Sequence, residues 1–173
     1  MKAVFLDRDG VLNAAIVKNG KPFPPSSINT LEILPGVKEA LVRLRKSKYL
    51  LIVITNQPDF VRGKISKERV EEINQYILNN LPLDEVLTCF HDDEDHCECR
   101  KPKPGAILKV AEKYSLDLKS CYMVGDRWRD ISAGFNAGCK TIFIDYGYSE
   151  KQPECPDFKV QSLFEASKII LGE

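Results

Sequence analysis

The chain has 173 residues, 43% of them hydrophobic, and its 25 basic and 25 acidic residues cancel to a formal net charge of zero. That is enough apolar material for one compact core, so residues 1–173 are expected to form a single domain. A neutral balance argues against a nucleic-acid surface, and the longest apolar run, Tyr49 to Ile54, is far too short to cross a bilayer. Lys2 is followed by Ala3-Val4-Phe5-Leu6 and then Asp7, too short and too acidic a start for a secretory leader. The expectation is a soluble cytoplasmic monomer with no nucleic-acid or membrane partner.

Apolar runs alternate with amphipathic stretches along the chain. Ala3 to Leu6 predicts the first strand. Gly20 to Ser27, with Pro22, Pro24 and Pro25, reads as an irregular loop. Pro35 to Ser47 predicts a helix burying Val37, Ala40, Leu41 and Leu44, with Pro35 and Gly36 in its first turn. Leu50 to Ile54 is the second strand. Ser66 caps the next helix, whose stripe is Val70, Ile73, Ile77 and Leu78. Val86-Leu87 belongs to a weaker third strand. Pro104 to Tyr114 forms a helix with Ile107, Leu108 and Ala111 together. Cys121 to Val124 and Thr141 to Ile144 are further strands; Trp128 to Ala137 and Ser162 to Ile170 are further helices. Runs without alternation suit strands buried on both faces. The order predicts a doubly wound α/β domain with a mainly parallel sheet, whose site lies at the carboxyl ends of the strands.

Four strands end in polar tips: Asp7-Arg8-Asp9, Thr55-Asn56-Gln57, the Cys89 to Lys103 segment, and Gly125-Asp126-Arg127. Asp7 and Asp9 sit two residues apart, so in extended chain they face one side. Such carboxylates repel unless a cation lies between them or one is protonated. Asp126 offers a third oxygen, and an oxygen-only site favours Mg²⁺. Thr55 and Asn56 offer hydrogen bonds and Lys101 a cation, a set suited to the oxygens of a transferring phosphoryl group. Gly10 lets the backbone turn away. Alone, Asp-Arg-Asp-Gly could be a mere turn after a strand; the coincidence of four tips argues otherwise.

The six cysteines are not spread as a disulfide framework. Cys89, Cys97 and Cys99 cluster beside His91 and His96, while Cys121 and Cys139 suit core packing and Cys155 a loop. Three thiols and one imidazole form a Cys₃His set for tetrahedral, structural Zn²⁺, placed directly before Arg100-Lys101. A redox-active thiol cluster is the alternative. Either histidine could complete the set.

These four tips, in this order, resemble the signature motifs of the haloacid dehalogenase superfamily across nearly the whole chain. The resemblance implies a magnesium-dependent phosphatase with a Rossmann-like fold. It implies Asp7 as nucleophile and Asp9 as general acid and base. Mg²⁺ would sit on Asp7, Asp126 and the backbone carbonyl of Asp9, with Thr55 and Lys101 steadying the phosphoryl group. The Cys-x-His and Cys-x-Cys pair resembles the zinc-containing subgroup that includes D,D-heptose 1,7-bisphosphate 7-phosphatases and histidinol-phosphate phosphatases, and selects His91. The intervals between motifs leave no room for a separate cap domain. Arg8, Asn56, Gln57, Arg100 and Arg127 form the expected substrate-binding set, Arg100 facing a distal anionic group. Asn56-Gln57 followed by Arg62-Gly63 is similar to the heptose enzymes. The proline-rich Asn13 to Ser27 loop and the short His91 to Cys97 spacing depart from their pattern. A sugar phosphate with a second anionic group is the expected substrate, heptose 1,7-bisphosphate ahead of histidinol phosphate. A non-catalytic zinc-stabilised binding module and a macromolecular phosphatase are the remaining alternatives.

Overall fold

A computed structural model describes all 173 residues. Its main sheet takes the order β5-β4-β1-β6-β7-β8, with every pairing parallel. The strands are β1 (Ala3–Leu6), β4 (Leu50–Asn56), β5 (Glu85–Cys89), β6 (Tyr122–Gly125), β7 (Lys140–Ile144) and β8 (Phe158–Val160). Because successive side chains point to opposite faces, each run feeds two cores. Val4, Leu6, Leu51, Val53 and Val124 pack on one face; Ala3, Phe5, Ile52, Ile54 and Met123 pack on the other. The first face is covered by α1 (Val37–Lys46), α2 (Lys67–Asn80) and α5 (Leu163–Leu171), and the second by α3 (Gly105–Tyr114) and α4 (Trp128–Ala137).

The expected strands and helices form. Ser66 caps α2 by accepting a hydrogen bond from Arg69 N at 3.3 Å. Three local readings change. α1 begins at Val37, and Gly36 is its N-cap rather than part of its first turn. Leu108 is exposed, and Val110 fills the buried position on α3 instead. The sheet has a sixth strand, β8, whose three residues follow an irregular connection from β7 rather than a helix. Asp157 fastens that connection: its Oδ2 accepts from Thr141 N at 2.7 Å and Thr141 Oγ1 at 2.9 Å.

The segment read as an irregular loop contains an antiparallel hairpin, β2 (Ile16–Lys18) and β3 (Lys21–Phe23). Asn19 and Gly20 between them have φ of 51° and 72°. Positive φ at both central residues is the type I′ arrangement that Asn-Gly favours. That dipeptide was the available signal. Proline and short strand length obscured it. No folded domain is inserted between the motifs: β1 to α1 contains only this hairpin and a short 3₁₀ turn, and β4 to β5 only α2. No helix is long and apolar enough to cross a membrane.

Leu44 of α1 is fully buried in the larger core. Leu44→Ala should cost about 2–5 kcal/mol through lost burial and the cavity left behind, seen as a lower urea midpoint with unchanged slope.

Candidate active site

The parallel sheet brings the ends of β1, β4 and β6 side by side. Asp7, Asp126 and Asp130 therefore meet, each within 4.8 Å of the others through a carboxylate oxygen. All three are buried. Lys101, also buried, places its ammonium 2.7 Å from Asp7 Oδ1 and 2.6 Å from Asp130 Oδ1, and donates to Ile54 O at 2.7 Å. Burial opposes the charge on Lys101, but Asp130 and Asp7 outweigh it and hold its pKa above the usual lysine range. Burial, then the neighbouring Asp130 carboxylate, pushes Asp7 up to about 7 despite Lys101. Burial and the charges of Asp7 and Asp130 push Asp126 well above the carboxylate range.

Three carboxylates against one ammonium leave two negative charges uncompensated in a water-poor site. Asp126 Oδ1 is buried with no hydrogen-bond partner, while Asp126 Oδ2 accepts from Tyr148 Oη at 2.9 Å. An orphaned carboxylate oxygen among oxygen donors is what a hard divalent cation satisfies, so the residues fit Mg²⁺. Gly10 makes the cradle possible. Its φ is +86°, and a Cβ there would lie 2.0 Å from Asp126 Oδ2.

Asp9 is held differently. Arg8 grips both its oxygens, at 3.2 and 3.1 Å; Asn13 Nδ2 donates to Oδ1 at 3.0 Å and Gln57 Nε2 to Oδ2 at 2.9 Å. Arg8 is itself buried and donates to Asn74 Oδ1 at 2.8 Å. Thus the third carboxylate of the acidic cluster is Asp130, not Asp9. Sequence reasoning missed Asp130. Its signal was an acidic residue in the first turn of the helix that directly follows the Asp126 tip.

A charged cleft opens over this floor. Apart from Phe23 and Pro22, Pro24 and Pro58, it is lined by Asp7, Asp9, Lys21, Asn56, Asp59, Arg62, Lys101, Asp126, Arg127, Arg129 and Asp130. Asn56 and Arg127 of the expected substrate-binding set reach it. Arg8, Gln57 and Arg100 do not. Arg8 and Gln57 are buried beneath it, where their hydrogen bonds orient Asp9. Gln57 also donates to Thr55 Oγ1 at 2.9 Å, leaving that buried hydroxyl its own proton to donate. Asn56 exchanges two hydrogen bonds with the backbone of Lys101, at 3.0 and 3.2 Å, fixing the lysine to the end of β4.

Arg100 faces the cysteine loop instead. Its Nε donates to Asp93 Oδ1 at 2.8 Å and its Nη1 to His91 O at 3.3 Å. Asp93 also accepts two hydrogen bonds from Arg129, at 3.0 and 3.1 Å. Arg62 grips Asp92 at 2.5 and 2.8 Å and holds that carboxyl down at about 2. The acidic stretch 92–95 thus binds arginines from three parts of the chain.

The four expected zinc ligands converge and His96 is outside the group. Five of the six separations between their donor atoms are 3.2 to 3.7 Å: Cys99 to Cys89 at 3.2, His91 Nδ1 to Cys99 at 3.4, Cys99 to Cys97 at 3.5, Cys89 to His91 Nδ1 at 3.6 and Cys89 to Cys97 at 3.7. A zinc tetrahedron with bonds of about 2.0–2.3 Å has edges of roughly 3.5–3.8 Å. The set fits the ion, and none of the cysteines is in a disulfide. Burial pushes the Cys89 thiol up.

A sequence profile described as HAD-hydrolase-like matches residues 98–166, the stretch carrying Lys101, Asp126 and Asp130. The chain is 34% identical over 168 residues to the D-glycero-beta-D-manno-heptose-1,7-bisphosphate 7-phosphatase of Helicobacter pylori, covering 91% of this chain and 94% of that protein. It is 31% identical over 186 residues to the corresponding alpha-heptose enzyme of Photorhabdus laumondii, covering 98% and 97%. The crystal structure of the D,D-heptose 1,7-bisphosphate phosphatase of B. bronchiseptica, complexed with magnesium and phosphate, superposes with a TM-score of 0.79 at 26% identity over 99% of both chains. The chain belongs to the haloacid dehalogenase-like phosphatases.

Two outcomes test the site. Gly10→Ala should drive Asp126 from its place and weaken Mg²⁺ binding at least about tenfold by calorimetry, because both the φ and the contact oppose a side chain. Metal analysis of protein purified without chelators should find one zinc per chain. Removing it and restoring Mg²⁺ should leave residues 89–103 exchanging amide hydrogens faster and turnover reduced, since this loop delivers Lys101.

Proposed function

We propose that this protein hydrolyses the 7-phosphate of D-glycero-D-manno-heptose 1,7-bisphosphate through a covalent phosphoenzyme on Asp7, with Mg²⁺ as its catalytic cofactor and Zn²⁺ as a structural one. The observation that carries the reading is the placement of Asp7: a buried carboxylate, 2.7 Å from a buried ammonium, on the floor of a cleft whose rim carries four further cations. Relatives spanning nearly the whole chain are named for this reaction.

Lys101 engages Asp7 Oδ1 and leaves the other oxygen to attack phosphorus. As the Asp7–phosphorus bond forms, the bond to the sugar oxygen breaks. Asp9 protonates that oxygen, then takes a proton from water. The water attacks phosphorus, the acyl–phosphate bond breaks, and inorganic phosphate leaves with Asp7 restored. Hydrogen bonds from Arg8, Asn13 and Gln57 orient Asp9 at the cleft. Lys101 and the Thr55 hydroxyl offset charge on the phosphoryl oxygens. Asp7, Asp126 and the carbonyl of Asp9 would hold Mg²⁺, with Asp130 beside them, and the ion neutralises phosphate charge when bound. Lys21 at the rim, a cation with no carboxylate partner, favours a second anionic group over the ammonium of histidinol phosphate.

Asp7→Asn should cut turnover by roughly three orders of magnitude or more, because an amide cannot form the acyl phosphate. On a panel of both anomers of heptose 1,7-bisphosphate, histidinol phosphate and other sugar phosphates, a heptose bisphosphate should lead by several decades in kcat/KM. A lead for histidinol phosphate would reverse the substrate assignment.

A further inference from the structure

The proposed substrate carries two phosphates, and only one meets Asp7. The cations around the cleft differ in what they already hold. Arg62 is paired with Asp92, and lies 3.6 Å from Asp59 as well. Arg127 is paired with Glu150 through two of its nitrogens. Arg129 is paired with Asp93. Lys101 is committed to Asp7 and Asp130. Of the cations lining the cleft, Lys21 alone has neither a carboxylate partner nor a side-chain hydrogen bond. A paired guanidinium must give up a carboxylate to take a phosphate; an unpaired ammonium gives up only water.

Lys21 is also held in a fixed place. It stands on β3 of the hairpin, opposite Lys18 in register. The turn before it is seated on the segment after β7, where Ser149 N donates to Gly20 O at 2.8 Å. The approach is close enough that a Cβ on Gly20 would lie 2.4 Å from Ser149 Oγ. Tyr148, next to Ser149, donates to Asp126 on the floor of the site. The hairpin is therefore tied to the reacting centre through Tyr148 and Ser149. Its next residues, Pro22 to Pro24, restrict the backbone and extend the cleft wall.

We propose that Lys21 binds the second, non-reacting phosphate of the substrate and so makes the β2–β3 hairpin the element that selects doubly phosphorylated sugars. This rests on the bisphosphate reading above. Lys21 is a specificity residue, remote from the reacting phosphorus.

The test compares Lys21→Ala and Lys21→Arg with the natural chain on heptose 1,7-bisphosphate and on p-nitrophenyl phosphate, which has no second phosphate. Lys21→Ala should lose about tenfold or more in kcat/KM on the bisphosphate beyond whatever it loses on the monoester. The loss should fall mainly in KM, and Lys21→Arg should recover most of it. Equal losses on both substrates, or no loss on either, would overturn the role of Lys21 while leaving the bisphosphate reading intact. Failure of the natural chain itself to prefer the bisphosphate would sink both, and is read before any variant is made.

Discussion

Three carboxylates and one ammonium buried at adjoining strand ends set the terms for everything around them. Asp7, Asp126 and Asp130 would repel one another without Lys101, and Lys101 would not remain charged at its depth without them. Even together they leave excess negative charge, which adds to burial in raising the pKa of Asp7 and Asp126, and one Asp126 oxygen is left without a hydrogen-bond partner. Such a centre is poised for a divalent cation and a dianionic phosphate, whose charges complete it. It is a costly arrangement for the fold alone, and a useful one for phosphoryl transfer.

Placing Lys101 is therefore the main structural task, and two devices share it. Asn56 at the end of β4 clasps the lysine backbone. The cysteine loop immediately before it is closed on itself by a four-ligand cluster at tetrahedral spacing. That loop lacks an apolar interior; its acidic residues are instead neutralised by Arg62, Arg100 and Arg129. A structural zinc there would substitute for hydrophobic burial in a segment too polar to fold by burial alone.

The same arginines shape one wall of a cleft that has no inserted cap. Arg100 and Arg129 both meet Asp93, and Arg62 meets Asp92, so the zinc loop arranges cationic side chains at the rim as well as behind it. The opposite wall is the β2–β3 hairpin, tied to the segment that carries Tyr148. One side of the cleft rests on the four-ligand cluster and the other on a tight turn. Between them lies Asp9, whose carboxylate is held by Arg8, Asn13 and Gln57.

The alternation of strands and helices, the two-faced core and the four polar tips were legible in the sequence because they depend on local periodicity and on the rule that parallel strands present their carboxyl ends together. Asp7, Asp126, Lys101 and the Cys₃His set could be named for the same reason: each lies at the end of an apolar run or in a short cluster of ligand types. What each arginine touches was not legible. Arg8, Arg100 and Arg127 sit beside motif residues in sequence, yet Arg8 turns inward to Asp9 and Asn74, Arg100 to Asp93, and Arg127 to Glu150. A long side chain adjacent to a site can point either way, and its partner lies 66 residues off in the first case and 23 in the third. Tyr148 and Lys21 were missed because their roles arise only when separate segments meet. Sequence alone determined which chemistry the strand ends carry, since that is written in residue type and spacing. Tertiary structure decided which charges are already spent on one another and which are left for a substrate, since pairing is a property of distance in space.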